Sequence, residues 1–157
     1  MAGTELIALI DAGSGLVVGT VGADGEPRAI RAWGASLLDE AGQRIRVVVS
    51  GDDPITIANF AATGTIALTA ADVRNFRSVQ LKGRVVATSA PTPADLELAA
   101  RGTEVFFRAV HETDGDPLEQ LQRLLPSAML TVDFVVDEAY DQTPGPRAGT
   151  AVPPAAP

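Results

Sequence analysis

Apolar residues follow two rhythms along this chain. Between Gly15 and Tyr140 they mostly fall in short strand-like runs, interrupted by stretches where they recur at helical spacing. A short opening helix is predicted over Glu5 to Ala12, with Leu6, Ile7 and Ile10 on one side. Strand signals follow in "GLVVGTVG" (Gly15 to Gly22) and "RAIRAWGASLL" (Arg28 to Leu38), joined through the Asp24-Gly25 pair of a hairpin turn. "RIRVVVS" (Arg44 to Ser50) comes after the polar turn "DEAGQ". A helix over Pro54 to Ala62 then separates it from "TIALTA" (Thr65 to Ala70) and from the longest predicted strand, "FRSVQLKGRVVATS" (Phe76 to Ser89). Helices over Pro93 to Val110 and Pro117 to Leu124 precede a last strand, "AMLTVDFVVDEAY" (Ala128 to Tyr140).

Six short strands with hairpin turns, and helices confined to a few connections, predict a mainly β, α+β fold. Its expected form is a six-stranded antiparallel barrel with peripheral helices. Residues 1–140 form the expected domain. Residues 141–157, "DQTPGPRAGTAVPPAAP", are rich in Pro, Gly and Ala with few apolar anchors, and are expected to be a flexible tail. Three helix starts share one spelling. Asp53-Pro54, Thr92-Pro93 and Asp116-Pro117 each set a capping side chain before Pro, with Asp95 and Glu119 placed to complete capping boxes.

Charge narrows the function classes. The 157 residues carry 20 Asp and Glu against 12 Lys and Arg, which argues against a nucleic-acid or anionic-membrane surface. With no cysteine, disulfides, thiolate metal sites and Cys nucleophiles are excluded. No apolar run approaches the roughly 20 residues that cross a bilayer. The opening "MAGTELIALIDAG" lacks the basic region and cleavage site of a signal peptide, so a cytoplasmic location is expected.

Familiar catalytic spellings are missing. The glycines at 13, 15, 19, 22 and 25 flank a strand within a hairpin, so they read as turn residues and not as a phosphate-binding loop. There is no G-x-S-x-G elbow. His111, the single histidine, sits near a helix end where a basic side chain suits the dipole. "HETDGDPLE" (His111 to Glu119) lacks the ligand spacing of a calcium loop, and no metal site is expected. Trp33, the single tryptophan, suits a core, an interface or the wall of a planar ligand's pocket. On the longest strand, period two puts Phe76, Ser78, Gln80, Lys82 and Arg84 on one face. That row is either solvated or faces a ligand, with Ser78 and Gln80 as donors and acceptors.

The succession "VGTVGADGEPRAIRAWGASL", "IRVVVSGDDPITIANFAATGTIALTA" and "FRSVQLKGRVV" resembles the pyridoxamine 5′-phosphate oxidase-like family of FMN-binding split barrels. The resemblance spans about Gly15 to Val86, and the ending "YDQTPGPRAG" resembles a subgroup of small family members. It implies a homodimer with FMN in clefts between subunits, and flavin-dependent oxidoreductase activity. Carried over, the cofactor-binding positions are Arg31, Ala32, Trp33, Ser50, Arg77, Ser78 and Gln80. The basic residues that hold the flavin phosphate in the family are replaced here by Ile30, Ala35, Ile55 and Thr56. Arg28, Arg31, Arg46 and Lys82 are the cations that remain to substitute. No catalytic residue is singled out. The alternatives are a non-catalytic dimeric module that binds a small molecule or a partner without FMN, and a protein that uses a deazaflavin. "VVVSGDDPITIANF" (Val47 to Phe60) occupies the place of the phosphate clamp yet spells a self-capped helix, leaving Ser50 and backbone N–H groups to receive an anion.

Overall fold

The computed structural model describes residues 2–152. Helix α1 (Ala2–Asp11) leads into β1 (Gly15–Val21), β2 (Pro27–Leu37) and β3 (Arg44–Ser50). Helix α2 (Pro54–Ala62) is followed by β4 (Thr65–Ala71) and β5 (Ser78–Ser89). Helix α3 (Pro93–Asp114), the single turn α4 (Leu118–Leu121) and a 3₁₀ turn at Gln122–Leu124 precede β6 (Met129–Asp141) and a short β7 (Thr150–Ala151).

All strand pairings are antiparallel, in the order β3-β2-β1-β4-β5-β6-β7, and β3 also pairs with β6. That last pairing closes a six-stranded barrel and removes its open edges. Closure bends β5 against β6, where the register shifts between Lys82 and Gly83 and again between Val85 and Ala87. At Gly83 a Cβ atom would lie 1.9 Å from the Val135 carbonyl oxygen, so only glycine fits this crossing.

Alternation then builds two cores. Val47 and Val49 of β3 point into the barrel with Val18, Ile66, Leu68, Leu81 and Phe134, while α1 plugs one end with Leu6, Leu9 and Ile10. Val48 points the other way, and with Trp33 it meets Ala99, Phe107 and Val110 of α3. The same three-valine run therefore serves both cores. Burying side chains such as Phe107 and Val48 contributes roughly 1.5–3 kcal/mol each toward holding α3 on the outside of β2 and β3. Closeness also matters here, since a Cβ at Gly34 would stand 3.1 Å from the Ala99 Cα.

The closed six-stranded antiparallel barrel with outer helices is the fold expected from the sequence. Three local expectations are corrected. Phe76 is not the first residue of the long strand: it sits in the preceding loop at φ 60, so it does not share the face of Ser78 and Gln80. Asp116 caps nothing. Pro117 is the N-cap of the four-residue α4 with no side-chain hydrogen bond, and the Asp116 carbonyl is instead 2.8 Å from His111 Nδ1. The helix expected over Pro117 to Leu124 is split into α4 and the 3₁₀ turn. Beyond β6, Gln142 N–H donates to the Ser78 carbonyl at 2.9 Å and Val152 N–H to the Ala139 carbonyl at 2.8 Å, with β7 paired to Tyr140 and Asp141 between them. The tail residues 153–157 lie outside the described residues.

Candidate functional site

Two places carry the residues singled out in the sequence: the start of α2, and the outer face of β2, β1, β4 and β5.

At the start of α2 the local sequence satisfies itself. Asp53 is the N-cap, and its carboxylate accepts from Ile55 N–H at 3.2 Å and from the Thr56 hydroxyl at 2.9 Å. Arg28 reaches over from β2 and donates to both Asp53 oxygens, at 2.8 and 3.1 Å. The Arg28 guanidinium, opposed by partial burial, holds the Asp53 carboxyl below its ordinary value. Asp52 accepts from the Ser127 hydroxyl and from Ser127 and Ala128 N–H groups, which tie the loop to the start of β6 and likewise lower its carboxyl. The Ser50 hydroxyl accepts from Asp52 N–H at 3.1 Å. The Ile55 N–H, the Thr56 hydroxyl and the Arg28 guanidinium, which might have met an outside anion here, already face the Asp53 carboxylate.

Arg46 is occupied too. It donates to both oxygens of Asp133 at 2.7 and 2.9 Å and lies 3.6 Å from Asp95, which raises its own pKa above the ordinary value. Asp95 at the same time completes the capping box of α3 with Thr92. This half-buried pair fastens α3 to β3 and β6.

The sheet face left bare by α3 is floored by short side chains. Register sets Arg31, Val17, Thr69, Gln80 and Tyr140 in one row across five strands, and Ala29, Gly19, Ala67, Lys82 and Glu138 in the next. An open groove of about 750 Å³ runs over the second row toward Arg28, Arg84 and Asp137. Val17 is 44% exposed, unusual for a valine at the middle of a sheet. Gln80 donates to the Thr69 hydroxyl at 3.1 Å and Lys82 lies over the Tyr140 ring. Arg31 is half-buried, with its guanidinium 5.0 Å from the Phe106 ring and 5.8 Å from Trp33.

Of the residues expected to bind a cofactor, Arg31 and Gln80 share this face, three strand steps or about 14 Å apart at the usual strand spacing. Ser78 is buried one pleat from Gln80, its N–H donating to the Thr143 hydroxyl, and the exposed Arg77 precedes it. Ala32 points into the barrel core, Trp33 into the second core edge-on to Phe107, and Ser50 lies at the far end of β3. Phe106 and Val17 had no signal in the sequence. They gain their place from packing, Phe106 by riding on α3 to within 3.2 Å of where a Gly15 Cβ would stand. Below it, the Ser14 hydroxyl and Trp33 Nε1 are buried without a protein partner and border a void of about 10 Å³, near the size that holds one water.

No family model matches the chain, and no curated protein matches it. Solved structures do. HupZ of Group A Streptococcus superposes with a TM-score of 0.56 at 17% identity, over 95% of this chain and 100% of that one. A putative pyridoxamine 5′-phosphate oxidase from Lactobacillus delbrueckii gives 0.53 at 15% identity, over 87% and 90%. The fold is the split barrel of the pyridoxamine 5′-phosphate oxidase-like proteins. An FMN-binding protein from Syntrophomonas wolfei shares it, with a TM-score of 0.51 at 14% identity over 88% of this chain and 81% of that one.

In this split barrel the start of α2 does not fit a flavin phosphate. A phosphate near two negative charges needs cations or free N–H donors. Ile30 packs against the barrel core, Ala35 and Thr56 are buried, and Ile55 is an exposed alkyl group. Arg28, the nearest cation, is held by Asp53, and Arg46 by Asp133. An FMN phosphate placed there would meet Asp52 and Asp53 at close range.

Proposed function

We propose that this split barrel is a non-catalytic module that pairs with a second copy of itself through its bare sheet face and takes a small molecule beside Arg31 without an FMN phosphate clamp. The single observation that carries this is the Arg28–Asp53 pair: the helix start that would receive the phosphate is capped and neutralised from within. The second copy is supported by the bare face itself. A sheet face with a floor of glycine, alanine and an exposed valine is the kind of surface another layer covers, and its rim mixes Lys82 and Arg84 with Asp137 and Glu138, which suits a self-complementary two-fold contact.

The flavin-dependent oxidoreductase remains the second reading, favoured by Arg31 and Gln80 lying on one face of an FMN-type fold. The purified protein decides between the two. The module reading expects a colourless dimer that does not bind FMN at micromolar concentration, nor a deazaflavin with the same phosphate-bearing tail. A flavin spectrum in the purified protein, or saturable FMN binding at micromolar levels, overturns it. A monomer in solution removes the second copy.

A further inference from the structure

Arg31 differs from the arginines around it in what it touches. Arg28, Arg46, Arg74, Arg84 and Arg108 each pair with an Asp or Glu at 2.7–2.8 Å. Arg44, Arg101 and Arg123 are exposed to solvent. Arg31 is half-buried, and among the described residues its contacts are aromatic, with its guanidinium carbon 5.0 Å from the Phe106 ring centre and 5.8 Å from that of Trp33. In a chain with eight more acids than bases, a partly desolvated guanidinium without a carboxylate is the exception.

The geometry of that contact leaves a particular capacity. Aromatic rings engage the flat face of a guanidinium, and its N–H donors lie at the edge, arranged as a fork that matches two oxygens of one planar group. No described residue accepts from that edge. Burial pulls the Arg31 pKa down from its ordinary value, so a bound anion is the partner that relieves the penalty. One further feature sets the size of the charge. Arg28, at the end of β2 on the opposite pleat, is already neutralised by Asp53, and Lys82 lies on the Tyr140 ring three strands away. A single free fork suits a singly charged carboxylate better than a phosphate dianion.

We infer that Arg31, lying over the Phe106 ring beside the exposed Val17, is a receptor for a carboxylate carried on a flat apolar body. This rests on the proposed module for its setting on the bare face. The carboxylate has two possible sources, a free small acid or an Asp or Glu of the second copy, and both would use the same fork.

Trp33, the only tryptophan, lies beside Arg31 and reports occupancy by its fluorescence. The full-length protein is titrated with benzoate, with its neutral analogue benzamide and with phenyl phosphate, and its mass in solution is measured over a range of concentrations. For a free acid, benzoate gives a saturable signal at least tenfold tighter than benzamide or phenyl phosphate. Arg31→Gln abolishes that preference, and Arg31→Lys keeps part of it. For a carboxylate from the second copy, Arg31→Gln raises the dimer dissociation constant at least tenfold, and benzoate shifts the wild type toward monomer. Unchanged circular dichroism in both variants shows that they fold. Equal binding of benzoate and benzamide with unaltered self-association in Arg31→Gln overturns the assignment, and so does tighter binding of phenyl phosphate. A yellow, FMN-binding protein would overturn the module reading separately, because the benzoate-to-benzamide ratio is measured on its own.

Discussion

Arg28 donates two hydrogen bonds to Asp53 across 25 residues of chain, clamping β2 to the first turn of α2. The pair replaces an external anion with an internal one at a helix N-terminus. Two substitutions separate its structural and its excluding roles. Asp53→Ala loses the cap and strands Arg28, and is expected to cost about 1–2 kcal/mol in urea unfolding. Asp53→Ser keeps a capping hydroxyl but removes the charge. It is expected to bind inorganic phosphate or FMN at least tenfold more tightly than the wild type in a titration calorimeter. No gain in the serine variant would show that Asp53 does not exclude the phosphate.

Acid stability follows from the same carboxylate. Hydrogen bonding to Arg28, against partial burial, depresses Asp53 below its ordinary value of 3.8. A depressed carboxyl contributes stability that is complete above the unfolded-state pKa and is lost as pH falls through the folded one. Asp52, Asp95, Asp137 and Asp141 are shifted in the same direction and add to the effect. Stability in urea is therefore expected to fall steadily from roughly pH 5 downward. Asp53→Asn is expected to be less stable near neutrality and to show a shallower decline in acid. A variant with the wild-type slope would mean that Asp53 keeps its ordinary pKa.

Barrel closure depends on a contact that no side chain permits. With Val135 carbonyl oxygen 1.9 Å from the position of a Cβ, Gly83→Ala must push β5 away from β6 at the bulge. The expected loss is about 2–3 kcal/mol, in the range of a strained core substitution. Gly25→Ala, by contrast, meets no neighbouring atom but sits at φ 84 in the hairpin turn, so it pays only the backbone cost of about 1 kcal/mol. Thermal unfolding of the two variants side by side checks the order.

Much of this was legible in the sequence, for reasons that differ by element. Arg44–Ser50 and Pro54–Ala62 have the bounds read from their residues, because apolar runs ending at Ser-Gly and a Pro at the first helical position are local signals. Thr92 and Asp95 form the expected capping box for the same reason. Asp116, Pro117 and Glu119 repeat that pattern with different residues but head a helix of one turn, which has too few residues to align the donors a cap would serve. The candidate site was legible only as residue types. That Arg28 would be spent on Asp53, that Arg31 would lie on Phe106, and that Val48 and Trp33 would form a second core all depend on which strand faces which helix. Register and crossing are non-local, and a single sequence does not display them.

Phe76 holds the last testable feature. It is the one non-glycine with positive φ among the described residues, at 60°, and the residue is 66% exposed. The loop is fixed by the buried Asp72, whose carboxylate accepts from Arg74 N–H and the Asn75 amide, while Phe76 N–H donates to the Asp72 carbonyl. A left-handed backbone at a bulky residue costs roughly 1–2 kcal/mol, which glycine does not incur. Phe76→Gly is therefore expected to stabilise the fold by about 0.5–1 kcal/mol, since no buried contact of the ring is lost to offset the relief. Equilibrium unfolding in urea reads this directly. If Phe76→Gly is instead destabilised by more than about 1 kcal/mol and that loss vanishes on dilution, the exposed ring is packing against a second copy of the chain.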